Sequence, residues 1–372
     1  MNTSQRLAEM GQSIWYDNIQ RGMLENGEMA GMIARGEIRG VTSNPSIFMN
    51  AMTKTGGYDA ELVPLAAAGH SAEEIFWELA VEDICAAIDL FRPLHEATNG
   101  GDGFVSLEVN PVLAHNTAAT LSQAKSLWQR VDRPNLMVKI PATLEGVPAI
   151  TAALAEGINV NVTLIFSRKR YAEVMDAYLS GLEQRVAAGK PIDSIASVAS
   201  FFVSRVDTNV DERLQNIISA GGPQADEAAN LLGKAAIANA RLAYADYKQV
   251  FDSERFARLK AAGARVQRPL WASTSTKNPA YSDVMYVDEL IGPDTVNTVP
   301  QNTLIALLDH GTVQPTLEQG LDEAQAVIDR LAALGIAMDD VTAQLEREGV
   351  QSFADAFAAL LASLEKKVAS TA

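Results

Sequence analysis

The sequence of 372 residues contains a single cysteine, Cys85, and four scattered histidines, His70, His95, His115 and His310, with no His-x-x-x-His pair. One cysteine excludes an intramolecular disulfide framework and any cysteine-rich zinc or iron–sulfur site, and the histidine spacing offers no ready metal centre. Cations are also scarce: Lys and Arg total 30 against 46 Asp and Glu, a formal net charge of −16. A chain so acidic does not neutralise a row of phosphates, which argues against nucleic acid and against an anionic membrane as partners. No run reaches the ~18–20 apolar residues needed to span a bilayer. The first residues, Met1-Asn-Thr-Ser-Gln-Arg, lack the basic, apolar and small blocks of a secretory leader, and no lipidation motif is present. A cytoplasmic, reducing setting is therefore expected.

The chain is rich in core-forming residues: 48% are hydrophobic and only 20% are charged, as in a globular protein with a sizeable interior. Short β-branched runs at 13–17, 38–44, 103–110, 136–141, 158–166, 194–202, 267–273 and 295–299 predict strands. Between them lie helical patterns at 71–90, 117–131, 168–188 and 224–261; in the last, Leu231, Ala235, Ala238 and Leu242 share one face. Alternating strands and helices imply parallel strands with right-handed crossovers. Eight such units predict an α/β fold, a (β/α)8 TIM barrel with additional helices, for which ~250 residues suffice. The surplus falls in a helical insertion at about 49–102 and in C-terminal helices at about 316–368, expected as 316–334, 338–348 and 352–368. No linker or composition shift divides the chain, so residues 1–372 are expected to form one domain; a doubly wound sheet is the alternative.

Strands buried on both faces read as continuous apolar runs. Here each carries a polar interruption: Asp17, Asn44, Glu108, Lys139 and Thr163. Barrel active sites are assembled from several strand ends at once. Lys139, within Leu136-Met-Val-Lys-Ile-Pro141, stands among apolar neighbours. Burial disfavours a charged amine, and a neutral amine attacks carbonyls to form a Schiff base. The alternative is a lysine that snorkels to solvent or pairs with an acid. Glu108 and Asp17 would divide the proton transfers of imine chemistry, or would be a structural ion-pair partner and a helix cap. Thr163 holds a water or satisfies its hydroxyl on the backbone. Arg205 lies just past one strand; Ser273 and Lys277 lie past the next, where such barrels bind phosphate. Arg205 has the alternative of pairing with Asp207 or Asp211. The glycines of Asn99-Gly-Gly-Asp-Gly103 precede a strand and read as a turn rather than a nucleotide loop. Cys85 reads as core.

Taken together, Gly40-Val-Thr-Ser-Asn44-Pro-Ser, Val105-Ser-Leu-Glu108-Val, Met137-Val-Lys139-Ile-Pro-Ala-Thr and Gly157-Ile-Asn-Val-Asn161-Val-Thr163-Leu-Ile-Phe resemble the motifs of the transaldolases, in family order. Ser200-Phe-Phe-Val-Ser-Arg205-Val-Asp and Trp271-Ala-Ser273-Thr-Ser-Thr-Lys277-Asn-Pro complete the set, and the longer form of the family is the nearest in layout. The resemblance implies a lysine Schiff-base transferase of the class I aldolase superfamily, in the pentose phosphate pathway, with no metal or organic cofactor. It would carry a dihydroxyacetone unit between sugar phosphates. Sedoheptulose 7-phosphate and glyceraldehyde 3-phosphate would interconvert with erythrose 4-phosphate and fructose 6-phosphate. By motif, Lys139 forms the imine, Asp17 moves the proton of the cleaved carbon's hydroxyl, and Glu108 and Thr163 work through a water. Asn44 and Asn161 would hold hydroxyls of the three-carbon unit. Ser200, Phe202, Arg205, Ser273 and Lys277 would face the sugar or its phosphate. Where many relatives carry a second arginine this chain has Ser275, and Lys277 is read as its replacement. Two rival readings remain. One is a fructose 6-phosphate aldolase that releases dihydroxyacetone, opposed by Glu108 and Phe202, where that group tends to carry glutamine and tyrosine. The other is a catalytically silent barrel that binds phosphosugars.

Overall fold

The computed structural model describes residues 1–54 and 56–371. Seven strands form one parallel sheet: β1 (Gln12–Tyr16), β2 (Val105–Glu108), β3 (Leu136–Pro141), β4 (Val160–Ile165), β5 (Ser197–Phe202), β6 (Arg268–Ala272) and β7 (Thr295–Val299). Their order is β1-β7-β6-β5-β4-β3-β2, so β1 and β2 stand at the two edges of a curled sheet. Nearly every strand residue is buried, as expected where helices cover the outer face and side chains fill the interior. The helices are set by ordinary caps: Asn116 accepts from Ala119 N to start Thr117–Val131, and Ser167 accepts from Arg170 N to start Arg168–Ala187. No helix among the described residues is long and apolar enough to cross a membrane.

Three expectations change. The run at 38–44 is not a strand of the sheet; only Val41 bridges, in parallel, to Tyr16 and to Val105. Its neighbours still bond to both edges: Arg39 N to Ile14 O (2.8 Å) and Thr42 N to Tyr16 O (2.9 Å) on one side, Gly103 N to Arg39 O (2.8 Å) and Ser106 N to Val41 O (3.0 Å) on the other. Gly40 allows this approach, because a Cβ there would lie 2.7 Å from the Trp15 ring and 2.8 Å from Phe104 O. The helical pattern at 224–261 splits into Ala225–Ala229, Ala235–Phe251 and Glu254–Ala261. Gly233 turns the chain at a φ of +69°, and Ser253 caps a new helix by accepting from Phe256 N. The two expected helices 338–348 and 352–368 are one, Met338–Thr371. Gly349, in the gap between the two expected helices, lies where a Cβ would come 3.0 Å from Leu164 Cδ2, a position where a small residue lets the helix lie against β4.

The insertion contributes helices Asp59–Ala67 and Ala72–Ala97, the latter opened by a capping box between Ser71 and Glu74. They and helix Pro45–Lys54 pack against the C-terminal helix Met338–Thr371. Phe357 meets Phe76 edge-on at 5.2 Å and lies 6.3 Å from Trp77. The Asn99–Gly103 segment is a turn, with Gly100 and Gly103 at φ +73° and +77°. Cys85 is half-buried against the core.

Candidate functional site

Register places the chemistry. Glu108 on β2 pairs with Lys139 on β3, and Lys139 pairs with Asn161 on β4, so three polar side chains stand at one level of the curled sheet. Both ionisable members are deeply buried, Lys139 at 5% and Glu108 at 6% exposure. Lys139 Nζ donates to Ser43 O (3.1 Å) and lies 3.5 Å from Glu108 Oε2. Burial pushes the Glu108 carboxyl up to about 7, even though the lysine pulls the other way. A carboxyl poised there gives and takes a proton near neutrality.

Above this level, at the C-terminal ends of the strands, a cavity of about 190 Å³ opens. Lys139 forms part of its lining, with Asp17, Asn44, Ser200, Phe202, Arg205, Ser273 and Lys277. Eight of the eleven sequence-selected residues thus meet around one space. Asp17, just past β1, accepts from Thr42 Oγ1 (2.6 Å), which also contacts Thr298 Oγ1 (2.6 Å). With Thr42's proton on Asp17, Thr298 is the donor in the second contact. Burial raises the Asp17 carboxyl, while Lys139, Thr42 and Lys277 favour its ionised form. Asn44 turns its Oδ1 to Ile47 N (3.0 Å) at the start of helix Pro45–Lys54.

The other three residues lie below or beside the cavity. Asn161 is fully buried, donating to Ser106 Oγ (3.0 Å) and accepting from Ser200 Oγ (2.7 Å), a chain of bonds across the interior. Glu108 belongs to a small adjoining space with Asn44, Phe76 and Trp77. Thr163 is also fully buried, and among the described residues neither its Oγ1 nor Glu108 Oε2 has a hydrogen-bond partner, although the latter keeps its ion pair with Lys139. A buried hydroxyl without a partner is costly, so Thr163 is suited to hold something polar.

Two cations face the mouth. Arg205 makes no salt bridge among the described residues; Asp207 is held by Ala236 N and Tyr286 OH, and Asp211 by Gly233 N and Tyr281 OH. The guanidinium instead lies over the Phe202 ring at 5.3 Å, with burial lowering its proton affinity. Lys277 Nζ donates to Ser275 Oγ (2.5 Å), and partial burial together with Arg205 lowers its own value. Ser273 sits in the left-handed region at φ +56°, its hydroxyl 2.9 Å from Ser204 Oγ. Non-glycine residues there are uncommon and cluster at functional sites.

Sequence reasoning missed Thr42, Thr298 and, most of all, Phe353. The last is on the C-terminal helix yet lines the cavity, its ring centre 5.7 Å from Lys139 Nζ and 6.0 Å from Arg205 Cζ. Nothing in its local pattern distinguishes it from a core-facing phenylalanine on an amphipathic helix.

The opposite mouth is different in kind. A cavity of about 340 Å³ there is lined by Arg39, Arg265 and Arg268. Asp102 accepts from Ser13 Oγ, Trp15 Nε1 (2.8 Å) and Arg39 Nε (2.6 Å), and Arg268 binds Thr295 O (2.6 Å). These groups satisfy one another and tie the strand starts together.

The family profile described as transaldolase/fructose-6-phosphate aldolase matches residues 14–364. A protein called transaldolase from Saccharopolyspora erythraea is 53% identical over 97% of this chain and 96% of its own length. Others of that name are 52% identical, from Thermobifida fusca over 98% of both chains and from Mycobacterium tuberculosis over 93% and 92%.

Proposed function

The chain belongs to the transaldolase/fructose-6-phosphate aldolase family, and from that premise we propose how it works as a transaldolase on phosphorylated sugars. The donors in this reading are fructose 6-phosphate and sedoheptulose 7-phosphate, and the acceptors are glyceraldehyde 3-phosphate and erythrose 4-phosphate, in the cytoplasm. The observation that carries it is the buried Lys139 amine beside a glutamate at the floor of a cavity with cations at its mouth. The proposal also takes residues 38–44 as the eighth stave of one barrel domain, supported by their bonds to both sheet edges.

The Lys139 amine attacks the ketose carbonyl, and the oxygen leaves as water with a proton supplied from Glu108. Its value of about 7 suits both that donation and the later return. The Thr163 hydroxyl, without a hydrogen-bond partner among the described residues, and the Glu108 oxygen, held only by its ion pair with Lys139, support a water at this step. Asp17 takes the proton of the hydroxyl on the carbon to be cleaved, the carbon–carbon bond breaks, and its electrons flow to the protonated imine. The aldose phosphate departs. The remaining three-carbon enamine attacks an incoming aldose, Asp17 returns its proton, and water releases Lys139. Asn44 and Ser200 face the three-carbon unit, with Asn161 behind. Arg205, Ser273 and Lys277 hold the phosphate, and Phe202 backs the arginine. An imine is itself the electron sink this cleavage needs.

Borohydride reduction in the presence of fructose 6-phosphate, followed by peptide mass mapping, tests the reading. A three-carbon adduct on Lys139 is expected. Active enzyme that yields no such adduct overturns it.

A further inference from the structure

We propose that Phe353 is a specificity-determining residue: it keeps bulk water from the three-carbon intermediate, so that the intermediate persists until an aldose arrives. This rests on the Lys139 imine of the preceding reading and adds a function to a helix outside the strand-derived machinery.

Placement comes first. Gly349 brings the C-terminal helix to within contact of Leu164 and Phe166 at the end of β4. One turn later Phe353 sits over the cavity, and one turn beyond that Phe357 is anchored on Phe76. Residues four apart fall on one helix face, so the close approach and the anchor together fix the height of the ring between them. Phe353 is 4% exposed, and its ring lies within cation–π range of both Lys139 and Arg205. The π face therefore meets the nitrogen that carries positive charge once the imine is protonated. Apart from the phenyl ring of Phe202, the strand-derived groups around Lys139 are largely hydroxyls, amides and charges, which attract water.

The chemistry says what such a ring decides. In transfer, the enamine carbon bonds to the acceptor's carbonyl carbon, whose oxygen takes the proton held by Asp17. In loss, the enamine carbon takes a proton from solvent. Water then adds to the imine carbon, its oxygen becomes the ketone oxygen, the carbon–nitrogen bond breaks and free dihydroxyacetone leaves with Lys139 restored. Both begin from one intermediate and differ in whether water reaches it, so excluding water favours transfer.

The readout is the ratio of free dihydroxyacetone to transferred product, with fructose 6-phosphate as donor and erythrose 4-phosphate as acceptor. Misfolded protein lowers both products equally, so the ratio reports only the intermediate's fate. Phe353→Ala is expected to raise it by about tenfold, which corresponds to some 1.4 kcal/mol between the two barriers. Phe353→Leu, still apolar, stays near the parent value. Should the alanine variant fail to fold, Phe353→Gln replaces the ring with a polar chain and is expected to raise the ratio in the same way. An unchanged ratio in a folded Ala or Gln variant overturns the proposal. Absence of a borohydride adduct on Lys139 in the parent enzyme instead overturns the imine reading, whatever the ratios.

Discussion

Glu108 has a value of about 7 in the fold against about 4.5 for a free glutamate, so the folded protein holds this proton more tightly than the unfolded chain. The stability this group contributes is present below pH 4.5 and is lost as pH rises to about 7. Thermal melts across that window are expected to show a downward slope that flattens in Glu108→Gln. The same substitution removes a titrating limb near neutrality from the pH profile of kcat. If the limb survives in Glu108→Gln, another group is responsible for it. Lys139→Met, which keeps the length of the side chain but not its nucleophile, is expected to lower kcat by about 10³-fold or more, measured in a coupled aldose assay, with the fold intact by circular dichroism. The place of Lys139 in the cavity was legible in the sequence because a charged side chain among apolar ones in a two-face-buried strand is costly, and that of Asp17 because it ends such an apolar run. Thr42 and Thr298 were not, since a strand-end threonine looks the same whether it braces a catalytic carboxylate or only its own backbone.

At the scale of elements, the first turn of helix Ser204–Ala220 after β5 and the loop after β6 supply the cations. Arg205→Ala and Lys277→Ala are each expected to raise the KM for fructose 6-phosphate by about 10–100-fold, the worth of a charge-assisted hydrogen bond to phosphate. The KM for unphosphorylated dihydroxyacetone as donor is expected to stay within about twofold. Equal losses on both would place the phosphate elsewhere. Seven of the eight expected strands are present, β3 and β7 with their full bounds and the rest within three residues at each end, because continuous apolar runs bounded by turns leave little choice. The segment around Val41 and the helix around Gly349 were misread for a shared reason: in both, a glycine serves a tertiary contact that local pattern does not contain. Gly40→Ala tests this. Its Cβ would overlap the Trp15 ring, and the expected cost is ~1–3 kcal/mol in chemical denaturation. A neutral result would mean that residues 38–42 yield easily and contribute little to joining the sheet edges.

Across the whole molecule, the C-terminal helix is joined to the insertion helices rather than only to the sheet. A chain ending at Ala337 would uncover Phe48, Phe76 and Trp77 together, and is expected to bind apolar dyes and to aggregate; a well-behaved truncated monomer would contradict that. The net charge of −16 acquires a sharper meaning as well. An acidic surface offers sugar phosphates no overall attraction, so in the proposed reading capture falls to Arg205 and Lys277 at one short stretch of rim. The far end of the sheet has its own cavity of about 340 Å³ around the bonded cluster of Asp102, and Lys139 is not among the residues that line it. The cavity over Lys139, about 190 Å³, shares Asp17, Ser275, Lys277 and Pro300 with a larger space that also takes in Asn18, Gln20 and Gln301. In the proposed transfer both aldoses bond to the same carbon of the unit held on Lys139, so the first has to leave before the second can react, and the two sugars queue rather than meet.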